Sequence, residues 1–275
     1  MKLQFRKMSG AGNDFVVIDN RAGVVQDREA MARRLCDRRW GIGADGLLLL
    51  EATDKADYRM MYYNADGSYG GMCGNGGRCI ARFATDNGIA GPKHTFEALG
   101  YLYSSVVRAD EVVLSMKDPT DIRMNIVLRV ANQNIRGHFI NTGSPHFVIP
   151  IFQFGKKYRS LEDVPVEQLG KKLRYHRQFK PEGTNVNFVE RGSGNLLKMR
   201  TYERGVEAET LACGTGSIAS AIISARLWKL GSPISIIPRS GVRLEVAFRL
   251  ANSGISQVTL KGQALTTFEG VIDVE

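Results

Sequence analysis

Hydrophobic and polar positions alternate from the start of the chain. Phe5–Asp19 reads as strand, turn and strand, with Gly10-Ala11-Gly12-Asn13-Asp14 as the turn. Asp27–Arg39 has helical spacing that puts Met31 and Leu35 on one face. Leu47–Glu51 and Tyr58–Tyr63 are short apolar runs of strand type. A helix-forming stretch, Cys79-Ile80-Ala81-Arg82-Phe83-Ala84, follows Cys73, and Phe96–Val107 with Glu111–Met116 predicts a β-meander. Asp118-Pro119-Thr120 marks a domain junction. The second half repeats the plan. It has strands around Phe139 and Phe147, a basic polar helix near Val166–Tyr175, and strands at Val186–Glu190 and Leu197–Tyr202. A helix over Ile218–Ile223 follows Cys213, then strands near Ile234, at Val242–Phe248 and at Val258–Leu260.

The recurrence extends to single residues. Cys73 and Cys213 each open a glycine-rich turn into a helix, in Met72-Cys73-Gly74-Asn75-Gly76-Gly77-Arg78 and Ala212-Cys213-Gly214-Thr215-Gly216-Ser217. They lie about 140 residues apart, about half the chain. Gly12-Asn13-Asp14-Phe15-Val16 is echoed by Ser144-Pro145-His146-Phe147-Val148, and Asn64-Ala65-Asp66-Gly67 by Glu203-Arg204-Gly205. The common order of these echoes predicts two similar domains: residues 1–118 with Cys73 and residues 119–261 with Cys213. The tail, 262–275, is expected to return to the first.

Composition narrows the class. A chain of 275 residues fits two domains, each with its own core. With 43% hydrophobic and 24% charged residues it reads as a soluble globular protein. The longest leucine run, Leu47–Leu50, is far short of a membrane span, and the first residues lack a secretory apolar region. A cytoplasmic location with reduced thiols is the expectation. The formal charge of +9 raises nucleic acid as a partner, with basic residues gathered in Arg28–Arg39 and Lys156–Lys180. Acidic and apolar residues interrupt both clusters and no recognition motif accompanies them, so a solvated basic surface is expected, with neither nucleic acid nor membrane as partner.

Gly41-Ile42-Gly43-Ala44-Asp45-Gly46 fits the spacing of a dinucleotide-binding turn, but its predicted order is helix, turn, strand. Pyrophosphate would then meet no helix N-terminus, so no nucleotide site is expected. Cys73 and Cys79 lack a second ligand pair, and His94, His138, His146 and His176 are scattered, so no metal site is expected.

A nucleophilic cysteine would need a base, and His146 is available. That reading leaves the second cysteine turn idle. Each cysteine instead feels the positive end of a helix, which stabilises a thiolate. One thiolate and one thiol acting on opposite faces of a carbon can invert it, exchanging roles in the reverse direction. The same helix ends can offer backbone N–H groups to a substrate carboxylate and to the charge that develops beside the deprotonated carbon.

Met8-Ser9-Gly10-Ala11-Gly12-Asn13-Asp14-Phe15, Gly41–Gly46, Asn64-Ala65-Asp66-Gly67-Ser68, Met72–Arg78, Gly183-Thr184-Asn185-Val186-Asn187-Phe188 and Glu203 through Gly216 together resemble the diaminopimelate epimerase family, a match that runs on to Phe268-Glu269-Gly270. The resemblance implies an α+β fold of two similar lobes related by a pseudo-two-fold. Each would be a mixed or antiparallel sheet wrapped around a central helix, with the site between them. It implies cofactor-independent interconversion of LL- and meso-diaminopimelate, for lysine and peptidoglycan precursors, by a homodimer. Residue by residue, it makes Cys73 and Cys213 the acid/base pair. Asn13, Asn64 and Asn185 become amide ligands of the substrate, Glu203 and Arg204 bind its polar groups, and Gly74-Asn75 and Gly214-Thr215 supply N–H cradles. His146 and Glu203 would tune the thiols, and Phe268 would lie in the dimer contact.

Three features depart from the pattern. Ser144 stands where the family often has asparagine, Gly46 stands where some members have a glutamine ligand, and Gly205-Val206-Glu207-Ala208-Glu209 is one residue longer than the shortest form. Alternative readings are a racemase of proline type, a carboxylate-substrate isomerase of the same architecture, or a non-catalytic amino-acid-binding protein. Glu203-Arg204 and the three asparagines argue against the first two, and retention of both cysteines against the last.

Overall fold

The computed structural model describes residues 2–130, 133–251 and 254–274. It divides into two compact units, residues 1–115 with 261–275, and residues 116–260.

In the first unit the chain runs β1 (Lys2–Gly10), β2 (Asn13–Asp19), α1 (Arg28–Cys36), β3 (Gly46–Glu51), β4 (Tyr58–Asn64), α2 (Gly74–Asp86), β5 (Lys93–Ala98), β6 (Tyr101–Arg108) and β7 (Glu111–Ser115). A tail strand, Leu265–Asp273, pairs antiparallel with β1. From it the sheet proceeds β1-β2-β3-β4-β5-β6-β7. The β2–β3 and β4–β5 pairs are parallel and the rest antiparallel. The two parallel pairs are the ones joined through helices, because a parallel return needs a crossover. Leu47–Leu50 is buried along its whole length, the pattern of a strand covered on both faces. Strands β1, β2, β3, β4, β6 and β7 all touch α2, which is therefore the helix the sheet wraps. Helix α1 packs on the opposite side, where Leu35 joins Val16, Ile18, Leu47 and Leu49.

The second unit has β8 (Thr120–Val130), β9 (Gln133–Asn141), β10 (Pro145–Pro150), α3 (Val166–Arg174), β11 (Asn185–Arg191), β12 (Leu196–Glu203), β13 (Ala208–Thr210), α4 (Gly214–Trp228), β14 (Ile234–Ile237), β15 (Leu244–Ala251) and most of β16 (Gly254–Gln263), whose last three residues belong to the first unit. Pairing runs β8-β9-β10-β11-β12-β14-β15, with β10–β11 and β12–β14 parallel and the other pairs antiparallel. This is the succession of the first unit from its tail strand to β6. Helix α4 touches β9, β10, β11, β12, β14 and β15, and its small residues, Gly214 to Ala225, are almost all buried. Phe139, Phe147, Phe179 and Phe188 form the core on the α3 side.

Several boundaries differ from the sequence reading. Only Ala11 and Gly12 form the first turn, at φ 59° and 90°, so Asn13 and Asp14 already belong to β2. The helix expected over Asp27–Arg39 stops at Cys36, with Asp27 as its N-cap accepting from the Ala30 N–H. Phe96–Val107 is two strands, divided by Leu99 and Gly100 at φ 51° and 68°. The long strand β8 was not anticipated. Among the described residues no helix is long and apolar enough to cross a membrane.

Candidate active site

In the first unit Cys73 is the N-cap of α2, with extended backbone at φ −115° and ψ 124°. Its sulfur accepts from the Gly76 N–H over 3.5 Å and donates to Asn13 Oδ1 over 3.7 Å. The tight β1–β2 turn places Asn13 for this contact. Gly10, ending β1, must lack a side chain, since a Cβ there would stand 2.8 Å from the Asn75 carbonyl oxygen. Asn13 Nδ2 donates to Asp45 Oδ2 at 2.6 Å, and Asn75 Nδ2 donates to Asn13 Oδ1 at 3.4 Å. Arg38 bridges Asp45 and Asp14, each at 2.8 Å. Burial alone would raise the Asp14 carboxyl, but hydrogen bonds and charge from Arg38 and Lys7 outweigh it and hold it at about 2. The Gly41–Gly46 segment connects α1 to β3, in the order helix, turn, strand.

Asn64 ends β4. It accepts from the Tyr62 hydroxyl at 2.7 Å and donates to Ser68 Oγ at 2.9 Å. Gly46 now has a physical reason: a Cβ there would stand 2.5 Å from Tyr62 Cε2 and 2.6 Å from the Tyr63 carbonyl oxygen. Tyr62 fills the space a side chain at position 46 would take. The sequence reading missed Tyr62, and missed Arg78, which is fully buried and donates to Asn75 Oδ1 at 2.9 Å.

In the second unit Cys213 caps α4 with nearly the same backbone, φ −118° and ψ 114°. Its sulfur lies 3.5 Å from Thr215 Oγ1. Gly216 is required, since a Cβ there would stand 2.5 Å from Asn187 Oδ1 and 3.3 Å from Cys213 Sγ. Thr142 Oγ1 donates to the Thr215 carbonyl at 3.0 Å and ties this turn to the β9–β10 connection. Glu203 ends β12, as Asn64 ends β4, and accepts from Thr210 Oγ1 at 2.8 Å. The Arg204 guanidinium lies 3.8 Å from Glu182, and its backbone N–H donates to Asn185 Oδ1 at 2.8 Å. Asn185 donates both amide hydrogens within the protein, to Ser144 Oγ and the Pro145 carbonyl, each at 2.9 Å. Ser144 thus retains a use as an acceptor for Asn185. In the lengthened Gly205–Glu209 loop, Glu207 accepts from the Gly205 N–H at 3.1 Å and pairs with Arg174 at 3.0 Å.

His146 is fully buried, with Nδ1 at 3.0 Å from Asn187 Nδ2, while Thr201 Oγ1 donates to Asn187 Oδ1 at 3.0 Å. Burial first, then the charge of Arg204, pushes the imidazole down to about 3 against the opposing hydrogen bond of Asn187. His146 Nε2 has no partner among the described residues. Asn187 also escaped the sequence reading. Phe268 lies on the tail strand, about half exposed, edge-on to Phe5 with ring centroids 6.0 Å apart. Among the described residues no three His, Cys, Asp or Glu side chains gather as a metal cage.

The fold is shared with solved structures of racemase, epimerase and isomerase type. A probable proline racemase from Agrobacterium radiobacter superposes with a TM-score of 0.73 at 15% identity, covering 99% of this chain and 93% of that one. The finer kinship comes from sequence. The family model described as diaminopimelate epimerase matches residues 5–122 and 138–255. The diaminopimelate epimerase of Chlorobaculum tepidum is 44% identical over 96% of this chain and 99% of its own. That of Aquifex aeolicus is 40% identical over 99% of each. The chain belongs to the diaminopimelate epimerase family, and is an enzyme of the isomerase class.

Proposed function

We propose that this enzyme interconverts LL- and meso-diaminopimelate with Cys73 and Cys213 as its two bases, without a cofactor, in the cytoplasm, on the route to lysine and peptidoglycan precursors. The observation that carries the reading is the repeated cap. Both cysteines occupy the N-cap of the wrapped helix of their unit, with matching backbone angles.

One sulfur, as thiolate, takes the Cα proton, and the electron pair left behind spreads into the adjacent carboxylate. The second sulfur, as thiol, gives its proton to the opposite face of Cα. The product has the other configuration, and thiol and thiolate have changed places. The N–H groups of Gly74-Asn75 and Gly214-Thr215 stabilise the carboxylate charge as it grows. Asn13 and Asn64 present amides to the substrate, and Arg204, a planar donor, suits a carboxylate. Asn185 shapes the site by joining Ser144, Pro145 and Arg204. A neutral His146 and Glu203 set the electrostatics around the sulfurs. The molecule works as a homodimer through the face that carries Phe268.

Proton NMR in D₂O, with diaminopimelate and no added cofactor, tests the reaction. Solvent deuterium should enter Cα as the isomers interconvert. Cys73→Ser and Cys213→Ser should each stop interconversion, and near-normal two-way turnover in either would overturn the two-thiol reading.

A further inference from the structure

Arg78, in the second turn of α2, is the bulkiest fully buried side chain. Its guanidinium donates to the Gly74 carbonyl at 3.2 Å, to Asn75 Oδ1 at 2.9 Å and to the Gln263 carbonyl at 3.4 Å. All three acceptors are uncharged, and no carboxylate pairs with Arg78 among the described residues. A buried cation without a counter-charge costs stability that an apolar side chain of similar size would not. Burial pulls its pKa down, and the Cys79 and Cys73 sulfurs oppose that pull.

Its donors have a second consequence. Arginine has no acceptor, so Asn75 must turn its oxygen toward Arg78 and its NH₂ toward Asn13 Oδ1. At the other end the Asp45 carboxylate accepts from Asn13 Nδ2. Charged groups at both ends therefore fix both amides in one orientation, and that orientation sets the Asn13 oxygen against the Cys73 sulfur. The other charged groups behind Asn13 are mutually satisfied: Lys7 with Asp14, and Arg38 with both Asp14 and Asp45. Burial pushes the Cys79 thiol up to about 12, so it stays neutral.

We propose that Arg78 is a positioning residue for Cys73: its guanidinium clamps the first turn of α2 and polarises the Asn75–Asn13 amide chain that meets the sulfur. This rests on Cys73 being an acid/base group. Lysine at this position keeps the charge but has one ammonium, which cannot span the three acceptors. Glutamine keeps a donor and loses the charge.

The test uses Arg78→Lys and Arg78→Gln in the full chain. Folding is checked by circular dichroism, and two readouts follow: kcat, and the iodoacetamide rate of Cys73 relative to Cys213 in the same molecule, by peptide mass spectrometry. In each folded variant kcat should fall about tenfold or more, and the relative Cys73 rate should change severalfold. A merely structural arginine would not move one sulfur against the other. A folded variant with both readouts unchanged overturns the proposal, and Arg78→Lys alone decides it should the glutamine variant not fold. Full turnover in Cys73→Ser would sink the acid/base reading instead, while the Cys73 alkylation rate would still report on the clamp.

Discussion

The hydroxyl of Tyr62 donates to the side-chain oxygen of Asn64, two residues further along the same strand, at 2.7 Å. Side chains two apart on a strand share a face, so strand geometry alone delivers this contact. Its ring meets Phe15 edge-on at 5.9 Å and covers both Gly46 and Gly70. The hydrogen bond leaves Asn64 Nδ2 to donate to Ser68 Oγ. Tyr62→Phe should therefore free the Asn64 amide to rotate. The KM for diaminopimelate should rise by about fivefold, the worth of one hydrogen bond, with thermal stability nearly unchanged. Steady-state kinetics beside a melting curve checks this, and an unchanged KM would remove Tyr62 from the site.

Gly46→Ala should be destabilising by about 1–3 kcal/mol, because the new methyl meets both a ring and a fixed backbone oxygen. Urea denaturation at constant pH measures it. A neutral outcome would mean that strand β4 gives way more easily than its buried neighbours allow.

Cys36 and Cys79 should resist alkylation in the native protein. Burial comes first among the causes that push each thiol up to about 12, which leaves almost no thiolate at neutral pH. Iodoacetamide footprinting with and without denaturant separates the four cysteines. Native labelling at Cys36 or Cys79 at the rate of an exposed thiol would refute the assignment.

His146 gives the stability a pH dependence of defined sign. Its imidazole titrates at about 3 when folded and near 6.5 when unfolded. Between those values the unfolded chain binds a proton that the native state does not. Stability contributed by keeping His146 neutral is thus complete above pH 6.5 and is lost as pH falls toward 3, by about 1.4 kcal/mol per unit. His146→Gln should flatten the slope of unfolding free energy between pH 4 and 6 by about that amount. His94 and His138, also pushed down by burial, remain in both proteins, so the difference isolates His146. Parallel slopes would show that His146 is not held neutral.

The proposed dimer should dissociate to monomer in Phe268→Glu, read by sedimentation velocity. Leu265, Phe268 and Val271 are all exposed on the tail strand, and a carboxylate buried there would oppose association. A monomeric unaltered protein would overturn the proposed dimer, and a dimer insensitive to the change would place the contact elsewhere.

Much of this is legible in the sequence. Glycine runs after Cys73 and Cys213, followed by small helix-forming residues, announced two buried helices and their caps. Repeated order then announced two units of one plan. Strand β8 escaped because only Leu128 and Val130 of Thr120–Val130 are buried, with polar residues throughout and two irregularities in its pairing with β9, which blur the period-two signal. Arg78 escaped because an arginine in a helix normally marks the wet face, and only packing shows that α2 has no wet face at that turn. Tyr62 escaped because its role depends on Gly46, a neighbour across the sheet, and Gly70 in the loop beyond. Asn187 escaped because its partners, His146 and Thr201, come from separate strands.

The tail strand imposes an order on biosynthesis. Strand β1 is made well before Leu265–Asp273, yet one of its edges pairs with that strand, and Arg78 waits for the carbonyl of Gln263. Residues 116–260 are all made before residues 265–273, so the unit encoded second can finish folding first. Until the tail emerges, the nascent first unit exposes an unpaired edge, the kind of surface that invites mispairing with another chain. Translation pauses or truncations just before residue 265 would therefore fall more heavily on the half that carries Cys73 than on the half that carries Cys213.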